Sequence, residues 1–205
     1  MVFIVNDTTL LISHDNLQTL EIIANREFKK ICEFFRKNKL CIHPDKTKFM
    51  IFSTNKLHGN IKICCNNNNE NQNDPNLIFE IEEIKSSSKV PAIKFLGVYF
   101  DPLLNFKFHI STLKNKLAKT LYALKMSKNK LSNNSLYLLY FALFHSHLVY
   151  ANIIWSCTDS STINSIFKLQ KKAIRLISGS KFNAHTEPLF KKTWNPSLTW
   201  PYFLF

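Results

Sequence analysis

Basic side chains are about twice as numerous as acidic ones in this sequence. The 205 residues include 27 Lys and Arg against 14 Asp and Glu, which gives a formal net charge of +13, and the isoelectric point is about 9.6. A positive field of this size attracts polyanions, of which nucleic acid is the commonest. The composition therefore predicts a nucleic-acid contact, with a basic surface kept for solubility as the alternative.

Other reactive residue types lack the spacing of a recognisable site. The chain has only 3 glycines, which excludes a glycine-rich phosphate loop. Its 5 cysteines contain no pair with zinc-ligand spacing, and we interpret them as reduced thiols of an intracellular protein, nuclear or cytoplasmic. We expect the histidines at 145, 147 and 185 to be core or surface residues rather than metal ligands. The cysteines are Cys32, Cys41, Cys64, Cys65 and Cys157.

One apolar run, residues 136–155, is about long enough to span a membrane. Two histidines, a serine and an asparagine interrupt it, so we expect a buried core helix and no membrane contact. The N-terminus lacks the basic region of a secretory signal peptide.

The elements that must position the reactive residues begin with a small sheet and one helix. Beta-branched residues flank Asn6 and Asp7, which indicates two strands joined by a turn. Asp15 and Asn16 can cap the helix, whose apolar residues recur three and four positions apart. The expected elements are a hairpin within residues 1–12, a helix ending near Asn38, a turn at 43–45, strands at 48–54, 61–65, 77–84 and 93–100, and a solvated asparagine-rich loop at 66–76.

Residues 105–192 predict a helical unit. Apolar residues from Ile110 to Leu131 fall on one face of a first helix and lysines surround them. A second helix, residues 135–149, is apolar all round and is therefore expected to be buried. A third, residues 162–178, should stop at Gly179. The predicted class is α+β: a small antiparallel sheet with one long helix, followed by an α-helical module and an irregular tail at 193–205.

Four segments, in this order, resemble the reverse transcriptases of non-LTR retrotransposons, the jockey-like mobile elements. IVNDTTLLIS (4–13) resembles the catalytic hairpin of that family, and LCIHPDKTKFMIF (40–52) is similar to the lysine-bearing turn and strand after the long palm helix. IKFLGVYFD (93–101) resembles the primer-grip strand. LLYFALFHSHLVYANIIW and LQKKAIRLISGSKFNAHTEPLFKK are similar to helices of the thumb and just after it. The resemblance implies an RNA-directed DNA polymerase, with the late palm at residues 1–104 and the thumb and post-thumb region at 105–192.

The hairpin departs from that family at its catalytic positions. Asp7 matches the second aspartate, Asn6 stands where the first is expected, and Ile4 occupies an aromatic position. The fingers and an earlier palm strand, with a further metal-binding aspartate, would precede Met1. Such polymerases hold two Mg²⁺ ions with clustered carboxylates, and one carboxylate cannot hold both. We therefore expect a truncated chain with little or no polymerase activity, in which Asp7 is the remaining metal ligand and Asn6 is degenerate; a plain hairpin turn is the alternative.

The resemblance also implies contacts to an RNA template and a DNA primer. Lys46 matches a lysine near the departing pyrophosphate, with a solvated turn lysine as the alternative. Phe95, Leu96 and Gly97 match the primer grip, with a bulged strand as the alternative.

The thumb helices would bind phosphates without reading sequence. Ordinary solvated helix faces are the alternative there, and a non-catalytic basic nucleic-acid-binding module is the rival interpretation of the whole chain. The candidate phosphate ligands are Lys114, Lys125, Lys168, Lys171, Lys172 and Arg175.

Overall fold

A computed structural model describes residues 2–5, 8–40, 42–53, 61–67 and 77–193 of the chain. The chain divides into two units, Met1–Leu104 and Asn105–Phe205. Strands and one long helix make up the described part of the first unit, and helices make up that of the second. The fold class is α+β, as predicted, but the expectation of a small antiparallel sheet is wrong, because the largest described sheet is mixed and the others are two separate ribbons.

The first unit contains eight strands and one α-helix among its described residues. The four-stranded sheet has the order β2-β1-β3-β6, in which β1 is antiparallel to β2 and β3, and β3 is parallel to β6. The pairs β4–β5 and β7–β8 are separate antiparallel ribbons. The elements are β1 (Val2–Val5), β2 (Thr8–Leu11), α1 (Leu17–Lys37), a 3-10 turn (Pro44–Lys46), β3 (Lys48–Met50), β4 (Cys64–Asn67), β5 (Leu77–Glu80), β6 (Glu82–Glu83), β7 (Ile93–Phe95) and β8 (Val98–Phe100).

Helix α1 begins where the sequence predicts. The side chain of Asn16 accepts hydrogen bonds from the backbone N–H groups of Gln18, at 2.8 Å, and Thr19, at 3.1 Å. These bonds satisfy two of the donors that a helix start leaves without partners. The helix ends before Asn38, also as predicted. Its inner face forms the core of the unit with β3 and the segments beside it: Leu20, Ala24, Phe28, Phe49, Ile63 and Ile81 are all buried.

Two polar residues fasten α1 to the backbone just before and at the start of β4. The Asn25 amide donates to the Lys62 carbonyl at 2.9 Å, and its oxygen accepts from the Cys64 N–H at 3.1 Å. The Glu21 carboxylate accepts from the Lys62 N–H at 3.0 Å. These bonds satisfy the backbone of a chain segment outside the four-stranded sheet.

The expected strand at residues 93–100 is wrong, because the chain folds back on itself as the hairpin β7–β8. Phe95 pairs with Val98, so Leu96 and Gly97 form a two-residue turn. Both have positive φ, 44° and 83°, which is the backbone conformation of the type I′ hairpin turn.

Other strand boundaries also differ from the expected ones. Strand β4 begins at Cys64 and continues to Asn67, which pairs with Leu77, so the first two residues of the expected solvated loop lie in a strand. The remaining loop residues, 68–76, lie outside the described residues. Strand β3 ends at Met50, and the segment expected at 77–84 is two short strands around buried Ile81.

In the second unit, the long helices pack through the faces that the sequence predicts. Helix α2 packs against α6. The elements are α2 (Lys107–Ser127), α3 (Asn133–Leu139), a π-helical turn (Tyr140–His145), α4 (Ser146–Val149), α5 (Asn152–Trp155), α6 (Ser160–Ile177) and α7 (Glu187–Thr193). The buried side chains of α2 and α6 include Ile110, Leu113, Leu117, Leu124, Ile163, Ile166, Ala173, Ile174 and Ile177.

The expectation that the helix at 135–149 is buried all round is wrong. The segment is α3, the π-helical turn and α4 in succession, and only one side of it is covered. Leu136, Tyr140, Phe144 and Leu148, spaced four residues apart, are buried, whereas Leu138 remains 71% exposed. Leu143 and Val149 are exposed as well. Among the described residues, no helix has both the length and the apolar character needed to cross a membrane.

Helix α6 stops at the predicted glycine. Gly179 has φ of 66°, and its N–H donates to the Leu176 carbonyl at 3.3 Å while the Ser180 N–H donates to the Arg175 carbonyl at 3.0 Å. This pair of bonds is the Schellman motif, which ends a helix in the left-handed conformation that glycine adopts without a side-chain clash.

Candidate nucleic-acid interface

The positive charge of the chain is concentrated in its second half. Residues 105–192 contain fourteen Lys and Arg but only two acidic residues, Asp159 and Glu187, whereas residues 1–104 contain thirteen basic and twelve acidic residues. Nearly all of the net charge of +13 therefore belongs to the helical unit. A polyanion approaching the chain meets its strongest attraction there.

Both carboxylates of the helical unit have local partners. Asp159 caps α6 by accepting from the Thr162 N–H at 2.9 Å, and its carboxylate lies 3.8 Å from the Lys107 ammonium. Hydrogen bonds from the Ser161 hydroxyl and from Thr162, with the Lys107 charge, lower the pKa of Asp159 to about 2. These carboxylates stabilise helix starts and leave the outer faces of the helices basic.

The other carboxylate, Glu187, pairs with Lys191 at 3.0 Å, and this hydrogen bond lowers the pKa of Glu187. The pair lies four residues apart on α7, so it is a local helix contact of the kind that contributes only a few tenths of a kcal/mol, roughly, to stability.

Four candidate residues lie on one face of α6. Lys168, Lys171, Lys172 and Arg175 are separated by three, one and three positions, so at about 100° per residue they form a stripe roughly opposite the buried side of the helix. Lys168 and Lys172 are exposed. Their ammonium groups are therefore accessible to a backbone phosphate.

The other two members of the stripe also stabilise the unit. The Lys171 ammonium lies 4.2 Å from the centre of the Phe167 ring, and that ring stacks on Phe190 of α7. Arg175 donates from Nε to the Ala184 carbonyl at 2.8 Å. These contacts fix Lys171 and Arg175, which are half-buried, and they link α6 to the segment that follows it.

Lys114 and Lys125, the candidates on α2, are both exposed. Eleven residues make about three turns, so the two side chains leave the same side of the helix, in line with Lys107. This row of ammonium groups flanks the buried stripe of α2. Both long helices therefore carry lysines that are aligned along the helix axis.

The candidate catalytic residues Asn6 and Asp7 lie outside the described residues. Val5 of β1 pairs with Thr8 of β2, so these two residues connect the strands. The donor set that they supply is one carboxylate and one neutral amide, and in the described part of the chain no group of three or more His, Cys, Asp or Glu side chains could hold a metal ion. These donors do not fit a centre of two Mg²⁺ ions, which needs several carboxylates.

Lys46 lies exposed at the end of the 3-10 turn. The Thr47 hydroxyl donates to the His43 carbonyl at 2.9 Å and fixes the turn. Lys46 lines a cleft of about 400 Å³ together with Lys94 of β7. The structure thus brings Lys46 close to the hairpin that carries Phe95, Leu96 and Gly97.

At that hairpin, Phe95 is half-buried and its ring centre lies 6.4 Å from that of Phe100. Both rings line an apolar groove of about 330 Å³ with Met50 of β3. Leu96 lies at the tip of the hairpin with 74% of its surface exposed. Gly97 has a structural reason to be glycine, since its φ of 83° belongs to the turn itself.

The three histidines considered as metal ligands differ in their environments. His145 is half-buried beside the rings of Tyr140 and Phe141, and burial lowers its pKa. His147 and His185 are exposed. The described cysteines Cys32, Cys64 and Cys157 are not disulfide-bonded.

Sequence patterns did not indicate three residues that also line the cleft beside Lys46. Lys48, Ser88 and Lys89 come from β3 and from the loop before β7. No spacing along the chain relates these segments, because only the fold brings them together. Comparison with known protein families, curated proteins and solved structures gives no match for this chain.

Proposed function

We propose that this chain binds the phosphate backbone of nucleic acid through its helical unit, and that it derives from a reverse transcriptase of the non-LTR retrotransposon type. The observation that carries the proposal is the basic face of α6 and the aligned lysines of α2, in a unit whose two carboxylates have local partners. Lysines arranged in this way neutralise phosphates in succession without contacting bases.

The element order of the first unit supports the proposed descent from a reverse transcriptase. A hairpin joined by Asn6 and Asp7, a long helix, a lysine-bearing turn and a strand that pairs back on the hairpin follow one another as in the family that the sequence resembles. The ligand chemistry supports binding without synthesis, since one carboxylate and one amide cannot hold two divalent ions.

The test of binding is a salt titration with a labelled RNA–DNA duplex, followed by fluorescence anisotropy. Replacing Lys168 and Lys172 by glutamine should weaken binding, and it should reduce the slope of log K against log salt by about 1.8, because each phosphate contact contributes about 0.9. The matched control is Lys29→Gln with Lys37→Gln, two exposed lysines on α1. Equal slopes for the two double variants contradict the proposal.

Synthesis is tested separately with a primed RNA template, Mg²⁺ and deoxynucleotides. We expect no primer extension by the purified chain. Template-dependent extension that disappears in Asp7→Ala would overturn the view that a lone carboxylate is insufficient.

A further inference from the structure

Phe182 lies in the turn that follows α6, and its ring is in solvent. It is 82% exposed, more than any other large apolar side chain that the structure describes. A ring in water gives up the free energy that burial of a large apolar side chain supplies. Packing among the described residues therefore gives no reason for an aromatic side chain at this position.

Hydrogen bonds hold this turn against the end of α6. The Ala184 N–H donates to the Lys181 carbonyl at 3.0 Å, which closes a four-residue turn with Phe182 in its second position. The Ala184 carbonyl accepts from Arg175 Nε at 2.8 Å, and the Ser180 N–H donates to the Arg175 carbonyl at 3.0 Å. The backbone that carries the ring is therefore ordered before any ligand binds, which lowers the entropic cost of binding.

The same hydrogen bonds place the turn at the end of the basic face of α6. Arg175 is the last member of that face and binds Ala184, which is two residues from Phe182. Lys181, which is exposed, adds a cation next to Phe182 in the sequence. From residue 160 to residue 186 the sequence has four lysines and one arginine and no acidic residue. The ring therefore lies beside a surface that attracts a polyanion.

An exposed ring beside aligned cations is an arrangement with which proteins bind single-stranded nucleic acid, because the cations follow the backbone while the ring stacks on a base. We propose that Phe182 stacks on an unpaired base of a strand whose phosphates lie on the basic face of α6. The inference rests on the proposed function and adds the nucleobase to it as a ligand. It implies a preference for a duplex that ends in a single strand.

The test uses the full chain and three labelled RNA–DNA duplexes, followed by fluorescence anisotropy. One duplex is blunt, one has an overhang of four thymidines, and one has an overhang of four abasic sites, which keeps the phosphates and lacks the bases. The parent chain should bind the thymidine overhang about tenfold more tightly than the abasic one, as expected from one base–aromatic stack. Phe182→Ala should abolish this difference and leave the affinity for the blunt and abasic duplexes unchanged.

Three further variants separate stacking from other effects of the ring. Phe182→Leu keeps an apolar side chain without a π-face and should behave as Phe182→Ala does. Phe182→Trp should retain the preference for thymidines. Phe34→Ala is the matched control, because Phe34 on α1 is also exposed, at 61%, and lies outside the basic face. It should bind all three duplexes as the parent chain does.

The inference is overturned if the parent chain shows no preference for thymidines, or if Phe182→Ala retains it. An equal loss on the thymidine and abasic overhangs also contradicts it, because the ring would then contact no base. A ring that serves a protein partner instead would leave all three affinities unchanged in Phe182→Ala. Failure of the proposed function is recognised separately, from the salt slope of the Lys168 and Lys172 variant on the blunt duplex, which does not involve Phe182.

Discussion

Tyr140 is the buried polar side chain that links the π-helical turn to α6. Its side chain is only 2% exposed and forms a hydrogen bond with the side chain of Gln170, which is buried as well. Burial raises the pKa of Tyr140 to about 12, against the opposing effect of the Gln170 hydrogen bond. The fold therefore stabilises the neutral phenol. This contribution to the free energy of unfolding is complete below pH 10 and is lost as the pH rises through the raised pKa.

We predict that Tyr140→Phe lowers the free energy of unfolding by about 1–2 kcal/mol, because it leaves the buried Gln170 amide without this partner. Urea unfolding followed by circular dichroism measures the change. Tyr122→Phe is the control, since Tyr122 is 65% exposed. Equal losses in the two variants would show that the Gln170 bond is unimportant.

Two histidines of the helical unit make its stability depend on pH. Burial, with the charge of Lys116, lowers the pKa of His109 from 6.5, and burial lowers that of His145. A lowered pKa means that the unfolded chain binds protons more readily, so stability is complete above pH 6.5 and falls as the pH drops below it. Asp159 does not contribute here, because its pKa lies near 2.

The melting temperature should therefore fall between about pH 7.5 and about pH 5. His109→Gln with His145→Gln should flatten this dependence, whatever its effect on absolute stability. The control is His147→Gln, at an exposed position, which should retain the fall. An unchanged pH profile in the double variant would contradict this assignment.

At the scale of elements, the hairpin β7–β8 depends on two residues with positive φ. Gly97 adopts this conformation at low cost, whereas Leu96 has φ of 44° with a branched side chain. A left-handed conformation costs a residue with a side chain roughly 1–2 kcal/mol, and asparagine tolerates it better than leucine does.

We predict opposite effects of two substitutions in this turn. Gly97→Ala should destabilise the first unit by about 1 kcal/mol. Leu96→Asn should stabilise it by about 0.5 kcal/mol, because Asn-Gly is the favoured pair of the type I′ turn. Chemical unfolding of both variants beside the parent chain provides the measurement, and a loss of stability in Leu96→Asn would indicate that the Leu96 side chain makes a contact that outweighs the strain.

The same hairpin shows where prediction from the sequence stops. Helices α1 and α6 were predictable, because a capping residue, an apolar stripe and a stop signal agree within each segment. Residues 93–100 were predicted as one strand because beta-forming residues run through Leu96-Gly97, and Leu-Gly is not a strong turn signal. The pairing of β7 with β8 joins residues only three to seven positions apart, but the run of beta-forming residues does not show where the chain turns.

The candidate site was also predictable from the sequence only in part. The basic face of α6 was predictable, because helical periodicity places Lys168 and Lys172 together. The cleft of Lys48, Lys89 and Lys94 was not predictable, because it depends on the parallel register of β3 and β6 and on the loop before β7. The contacts of Lys171 and Arg175 also depended on the segment after α6, which supplies the Ala184 carbonyl and the Phe190 ring and which no sequence pattern placed.

At the scale of the whole molecule, the boundary between the two units is also the point at which the chain changes from nearly neutral to strongly basic. The helical unit has its own buried core, which includes Leu117, Phe144 and Trp155. We predict that residues 105–205 expressed alone retain helical circular dichroism and bind the RNA–DNA duplex nearly as tightly as the full chain does at low salt. Residues 1–104 should bind the duplex weakly. The reverse distribution of affinity would contradict the proposed function.

The pairing of Asp159 and Glu187 with neighbouring lysines has a practical consequence for anyone who isolates this chain. With so few acidic groups to offset the remaining cations, the proposed function implies that the helical unit behaves as an ion exchanger, and cell lysis at low ionic strength should then load it with host RNA and DNA fragments. A preparation that has not been washed at high salt should therefore show a raised ratio of absorbance at 260 nm to that at 280 nm, and the binding sites in such a sample would already be filled.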